Sequence, residues 1–305
     1  MSYKPVIAIS IGDLNGVGID IALRSHKTIS LTCKPLYCID KTMLEQACMR
    51  LHVKIPDDFE TLSVGDDFEI QAGLISEKSG RYSYDSFMKA IELCETSEAD
   101  AVVTLPIHKE AWAKAGLNYV GHTDLLRQHF NQEAIMMLGC ESMYVALFTE
   151  HIPLKEVPLH VRVPQLTTFL LDFFKTTQAD KVAVLGLNPH AGDNGVLGDE
   201  EKYISEAIAY VNTKIGLKIF DGPIVPDVAF TPHFRAQYRY FIAMYHDQGL
   251  APLKALYFDE SVNISLNLPI IRTSVDHGTA FDIAYQKNAN TLSYHNAIKA
   301  ALSLI

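Results

Sequence analysis

Apolar runs punctuate this chain: VIAISIG, PLYCID, DAVVTLPI, MYVALFTE, KVAVLGLNP, FIAMYHDQG and VNISLNLPII. They are rich in Val, Ile, Phe and Tyr, and several do not alternate with polar residues, which predicts strands buried on both faces. Between them the apolar positions fall at helical spacing. SYDSFMKAIELCETSE puts Phe87, Ile91 and Cys94 on one face. PQLTTFLLDFF opens on Pro164, a good first-turn residue, and aligns Leu166, Phe169, Leu170 and Phe173. DEEKYISEAIAYVNTKIG starts with acids, carries Ile204, Ala207, Ile208, Val211 and Ile215 in register, and closes on Gly216. Strand and helix in turn predict an α/β fold with a largely parallel sheet. The stretch 221–240, DGPIVPDVAFTPHFRAQYRY, is the least regular and reads as a loop with a short helix. No repeat, low-complexity tract or Pro/Gly-rich linker marks a boundary.

The composition narrows the class. A chain of 305 residues makes one large domain or two ordinary ones. With 48% hydrophobic and 20% charged residues it has ample apolar surface for a core. The formal net charge of −10 argues against nucleic acid or an anionic membrane as partner, but a small anionic substrate needs only a few local cations. The five cysteines are odd in number and form no Cys-x-x-Cys pair, which argues against a disulfide framework or zinc ribbon and fits a reducing compartment. The first apolar run is cut short by Gly-Asp, and no stretch reaches the roughly 18 apolar residues of a membrane helix. The expectation is a soluble cytoplasmic protein.

In open α/β sheets, ligands bind beyond the carboxyl ends of the strands. The residues found there are His108 and Lys109 after VVTLPI, His151 after VALFTE, His190 after VAVLGLNP, and His246 with Asp247 after FIAMY. One histidine after a strand is ordinarily a cap or loop residue. Several at equivalent ends can share one edge, and three neutral imidazoles suit a divalent cation. Asp247 could orient a ligand, bind the metal or act as a base. LNPHAGDNGVLGDEE, 187–201, reads as a Gly-rich strand-to-helix loop, or as one whose backbone approaches a ligand. GDLNGVG, 12–18, matches neither Gly-x-Gly-x-x-Gly nor the phosphate loop, so no Rossmann site is inferred. Arg272 can clamp a phosphate or carboxylate, or lie on the surface. Lys254 and Asn263 interrupt apolar stretches, and a lysine so placed can also snorkel to solvent.

GHTD, EHIPL, LNPHAGD, YHDQGLAPLK, VNISLNLP and IRTSVDHGTAFDIA, in this order and over most of the chain, resemble the 4-hydroxythreonine-4-phosphate dehydrogenase family of vitamin B6 biosynthesis. HGTAFDIA is also similar to the isocitrate and isopropylmalate dehydrogenases, whose fold that family shares. The resemblance implies two α/β/α lobes around a cleft, 1–125 plus 277–305 and 126–276, with most metal and substrate residues in the second. It implies His151, His190 and His246 as ligands of one divalent metal (Zn, Mg, Co or Mn). It implies His122, Thr123, Lys254, Asn263 and Arg272 as substrate contacts, in a site shared between the subunits of a homodimer. The implied reaction is NAD- or NADP-dependent oxidation of 4-phosphooxy-L-threonine at C3, then decarboxylation to 3-amino-2-oxopropyl phosphate. Asp247 is the candidate for proton transfer, and Gly278, Thr279, Ala280 and Asp282 for the adenosine end of the cofactor; His108 is left a structural or neighbouring role.

One departure stands out. The family pattern after the first strand, Gly-Asp-Pro-Ala-Gly-Ile-Gly-Pro-Glu, is here GDLNGVGID, which keeps the glycines, loses both prolines and shortens the acid to Asp20. The alternatives are a sister dehydrogenase acting on erythronate or threonate 4-phosphate, and a metal-dependent hydrolase, which leaves Lys254, Arg272 and the 276–284 loop without a role. An acyl transferase of the same fold gives no reason for the histidines, and a binding module gives none for imidazoles at successive strand ends.

Overall fold

The computed structural model describes residues 4–286 and 288–305. In chain order the elements are β1 (Val6–Ser10), α1 (Gly18–Ile29), β2 (Lys34–Cys38), α2 (Lys41–Leu51), β3 (Thr61–Leu62), α3 (Glu77–Glu95), β4 (Ala101–Thr104), α4 (Lys109–Lys114) and α5 (His122–Phe130). There follow β5 (Ile135–Cys140), β6 (Met143–Leu147), α6 (Val157–His160), α7 (Val163–Thr177), β7 (Val182–Leu185), α8 (Glu201–Ile215), β8 (Phe220–Ile224), α9 (Pro226–Ala229), α10 (Pro232–Arg235), β9 (Tyr240–Ala243) and α11 (His246–Tyr257). The chain ends with β10 (Val262–Leu266), β11 (Arg272–Val275) and α12 (Leu292–Leu302).

Two compact units divide the chain. The first takes the residues up to Gln132, Val262–Ile264 and Leu268–Ile305; the second takes Glu133–Ser261 and Ser265–Asn267. The return to the first unit therefore comes earlier than the expected 277, and Asn263 and Arg272 fall in the first unit rather than the second. The reason is pairing: β11 lies parallel beside β4, with Arg272 opposite Val102 and Ser274 opposite Thr104.

In the first unit the strands run in the order β3-β2-β1-β4-β11, every pair parallel. All four residues of β4 are buried, as an apolar run sandwiched on both faces requires. The expected helix around Phe87 begins earlier, at Glu77, where the Ser76 hydroxyl accepts the Ser79 N–H at 3.1 Å. Its Phe87, Ala90 and Ile91 join Ala8, Val102, Trp112 and Leu126 in one core.

In the second unit the order is β5-β6-β9-β7-β8, antiparallel only between β5 and β6. Met143, Val145, Leu147, Leu185, Phe241 and Leu253 build its core. Of the faces read from the sequence, α7 buries Leu166, Leu170 and Phe173 and α8 buries Ile204, Ala207, Ile208 and Val211, while Phe169 and Ile215 are half-buried; α8 ends on Gly216 in the left-handed region. The irregular stretch 221–240 holds the short helices α9 and α10, but its first residues are a strand, β8, which the reading as loop missed. Gly222 and Pro223 disguise it, and both are tolerated because β8 is an edge paired only with β7. Among the described residues no helix is long and apolar enough to cross a membrane.

Candidate functional site

Strand register alone carries the histidines of the second unit to one edge. β6 and β9 run parallel with Leu147 opposite Ala243, and β9 and β7 with Ile242 opposite Val184. His151, His246 and His190 lie four, four and six residues past Leu147, Ile242 and Val184, so all three leave the carboxyl end of the same strands. The rings of His151 and His246 stand with centroids 5.3 Å apart, tilted by 44°. Two imidazoles on one divalent cation, each with its nitrogen about 2 Å from the metal, hold their ring centres about 5 Å apart, so this pair fits a shared ion. Among the described residues of one chain, no group of three or more His, Cys, Asp or Glu is placed to hold a metal. One chain thus presents two adjacent donors and a third histidine on the same edge.

The pair is held by backbone, not by chance. The Met244 carbonyl accepts the Thr149 hydroxyl at 2.6 Å and the Thr149 N–H at 3.2 Å, which ties the His151 segment to the end of β9. Gln248 accepts the Met244 N–H at 2.7 Å and donates to the Gly186 carbonyl at 2.7 Å, which ties the end of β9 to the end of β7. Helix α11 must approach the sheet closely for this. A Cβ on Gly249 would lie 2.4 Å from Val145 Cγ1 and 2.9 Å from Ala243 Cβ, so only glycine fits there. Past Gly186 the chain enters an unusual turn. His190, Ala191, Gly192, Asp193 and Asn194 all have positive φ, between 44° and 80°. Left-handed backbone costs an L-residue about 1–2 kcal/mol each, and only Gly192 is exempt.

The other predicted groups of this unit sit around the histidines unevenly. Asp247, largely exposed, has Oδ1 3.5 Å from His246 Nδ1. Lys254 is half-buried in the last turn of α11, its Nζ 5.8 Å from the Phe258 ring centre.

The first unit holds a second group. Arg272 is 2% exposed, its Nη2 2.6 Å from Thr104 Oγ1. Thr104 pairs with Ser274, two residues further along β11, so the guanidinium runs along the sheet toward the carboxyl ends of the strands. Burial pulls its pKa down to about 9, still cationic at neutral pH. His122 opens α5 with its ring edge-on to Phe87 at 4.7 Å and Trp112 at 5.7 Å. Burial, and then the positive charge of Arg272, hold its pKa well below the usual imidazole value, so the ring is neutral. Its Nε2 is shut off from solvent without a hydrogen-bond partner, as is Oδ1 of Asn263. Thr123, beside His122, is buried. A buried guanidinium next to a neutral imidazole offers donors to an anion, whereas Asn263 Oδ1 can only accept a hydrogen bond.

β1, β4 and β11 are neighbours in parallel, so the loops after them meet. Asp13 donates its N–H to the Pro106 carbonyl at 2.9 Å, Val17 donates to the Thr279 carbonyl at 3.0 Å, and His108 stacks on Phe281 with centroids 4.9 Å apart. His108 is thus a packing residue between two loops. Thr279 is buried in this contact, whereas Gly278 and Asp282 are exposed and open space surrounds Gly278. Ala280 adopts φ +43°. The divergent 12–20 segment keeps its turn by other means. Asn15 accepts the Gln71 N–H at 2.8 Å and donates to the Leu74 carbonyl at 2.7 Å, so a side chain pins a loop that lacks the prolines.

Asp13 lies wholly buried in that turn. Burial raises its pKa to about 6, against the Asn15 N–H, the Ser79 hydroxyl and the charge of His108, which lower it. An acid with a raised folded-state pKa lends stability that is complete below its unfolded value of 3.8 and is lost as pH rises through about 6. The shift corresponds to about 3 kcal/mol. Asp13→Asn should abolish this dependence: in urea unfolding at pH 4 and pH 7, the parent should lose about 2.4 kcal/mol more than the variant. Equal losses would place Asp13 in contact with water.

Sequence reasoning missed Thr149, Gln248, Thr104 and Asn15. Thr104 and Thr149 follow apolar runs, and strand-end polarity could have marked them; for Gln248 and Asn15 nothing local signals the long-range partner.

The family of the pyridoxal phosphate biosynthetic protein PdxA matches residues 31–301. A 4-hydroxythreonine-4-phosphate dehydrogenase of Sulfurimonas denitrificans is 64% identical over 99% of this chain and 98% of its own. One of Campylobacter fetus is 52% identical over 98% of each chain. Among solved structures, a 4-hydroxythreonine-4-phosphate dehydrogenase from Burkholderia phymatum superposes with a TM-score of 0.83 at 30% identity, over 99% of both chains.

Proposed function

Since this chain belongs to the PdxA family of 4-hydroxythreonine-4-phosphate dehydrogenases, we propose that it oxidises 4-phosphooxy-L-threonine at C3 with a nicotinamide cofactor, NAD or NADP. Decarboxylation to 3-amino-2-oxopropyl phosphate follows. The observation that carries the reading is the His151–His246 pair, braced by Thr149 and Gln248 at the carboxyl edge of parallel strands.

His151, His190 and His246 would hold one divalent cation (zinc, magnesium, cobalt or manganese), with the set completed across a homodimer. When bound, the cation supplies a Lewis acid for the substrate's hydroxyl and for the charge that develops as carbon dioxide leaves. A bound nicotinamide would supply the acceptor for the hydride leaving C3. The chain does the rest. Arg272 and Lys254 offset the phosphate and carboxylate charges in a protein of net charge −10. Neutral His122, with Thr123 and Asn263, supplies hydrogen bonds that orient the substrate without adding charge. Asp247 accepts or returns a proton beside His246, and the loop of Gly278, Thr279, Ala280 and Asp282 receives the adenosine end of the cofactor. A second copy as partner is supported by the exposed Leu154 and Leu159 after His151, and Val196 and Leu197 after His190. The compartment is the cytoplasm.

The test follows absorbance of the reduced nicotinamide with 4-phosphooxy-L-threonine and with erythronate and threonate 4-phosphates. The expected result is a signal with the amino acid phosphate, abolished by chelator and restored by a divalent cation. A signal untouched by chelator, or confined to the sugar acids, defeats the proposal.

A further inference from the structure

The left-handed run that carries His190 includes one alanine and three residues, His190, Asp193 and Asn194, that tolerate positive φ better than most but still pay for it, so support from outside the run matters. Its own backbone bonds are Ala191 N–H to the Asn188 carbonyl at 3.1 Å, Val196 N–H to the Asp193 carbonyl at 3.2 Å and Leu197 N–H to the Gly192 carbonyl at 3.0 Å. What fills its inside is a carboxylate. Glu201, the first residue of α8 and 7% exposed, accepts the N–H groups of Leu187 at 2.9 Å and Asn188 at 2.7 Å through Oε1. Its Oε2 accepts Asn188 Nδ2 at 3.0 Å, and the same nitrogen donates to Glu200 Oε2 at 2.8 Å. A Cβ on Gly192 would come within 2.6 Å of Glu201 Oε2, so the turn is wound directly against the carboxylate. An ordinary acid in a helix's first turn faces solvent and the helix's own N–H groups. This one points back into the loop and bonds to the two residues that precede Pro189 and His190.

We propose that Glu201 is a positioning residue for His190: through the Leu187–Asn188 backbone it sets the direction of that imidazole, and so the chain's affinity for a divalent cation. This rests on the reading of His190 as a metal ligand. Gln248, bonded to the Gly186 carbonyl, braces the root of the same loop against the start of the His246 helix.

The test is cobalt(II) binding to the full-length protein, followed by calorimetry and by the cobalt visible spectrum, beside melting of the metal-free protein. Glu201→Gln still accepts the two N–H groups but turns a donor toward Asn188 Nδ2. Cobalt should bind about 10–100-fold more weakly with an altered spectrum. Adding Asn188→Asp and Glu200→Gln to Glu201→Gln, so that both amides donate to the new carboxylate at 188, should recover most of the affinity. In a His190→Ala background, Glu201→Gln should have no further effect on cobalt. Should Glu201→Gln not fold, Glu201→Asp keeps the charge, shortens the reach and should weaken cobalt in the same way. Unchanged cobalt binding in a folded Glu201 variant, or an equal loss with and without His190, overturns the proposal. If His190→Ala itself binds cobalt like the parent, it is the reading of His190 as a ligand that fails.

Discussion

His246→Ala is expected to lower kcat/KM for 4-phosphooxy-L-threonine by about three orders of magnitude or more. The loss of several kcal/mol of charge stabilisation at the reacting carbon corresponds to that factor. The fold should survive the change. His246 is half-buried at the first position of α11, where alanine is a good helix former, and the bonds that fix this end of the helix come from Gln248. Cobalt affinity should fall with activity while the melting temperature of the metal-free protein stays close to that of the parent. A variant that keeps activity within tenfold at limiting metal would remove His246 from the ligand set.

Arg272→Lys should raise KM by about 100-fold, as expected when a buried, hydrogen-bonded cation loses its matching geometry to an anion. A lysine keeps the charge but not the planar fork, and it cannot satisfy Thr104 and a substrate oxygen together in the same way. The parent carries a pH signature as well. Its guanidinium is pushed down to about 9, so substrate affinity should fall as pH rises through that value. The stability term has the opposite sign. A base with a depressed folded-state pKa costs the free protein stability while it is charged, and that cost is relieved as pH rises from about 9 toward its unfolded value of 12.5. KM profiles between pH 7 and 10, set beside urea melts over the same range, separate the two. An unchanged KM in Arg272→Lys would mean that Arg272 meets no anion.

The sheet was legible where apolar runs were uninterrupted, as in β1, β4, β7 and β9, and the faces of α7 and α8 followed from helical spacing. The edge strand β8 was hidden by Gly222 and Pro223, residues that punctuate a chain almost everywhere except on such an edge. Arg272 looked like a residue after an apolar run, with a surface position as its plain alternative. It is in fact the first residue of β11 and among the most deeply buried side chains. No local pattern distinguishes the two outcomes, because only the pairing of β11 with β4 removes that guanidinium from water.

The sequence by itself determined the α/β class, the family, and the presence of histidines at the ends of successive strands, because each of these is written in residue type and local spacing. The tertiary structure alone decided which of those histidines meet. The register of β6 on β9 sets His151 against His246, while Thr149, Gln248 and Glu201 fix their loops through bonds to backbone 14 to 95 residues away in some cases and a few residues away in others. Such bonds depend on where distant backbone comes to rest, and that is settled by burial of the whole core rather than by any short stretch of chain.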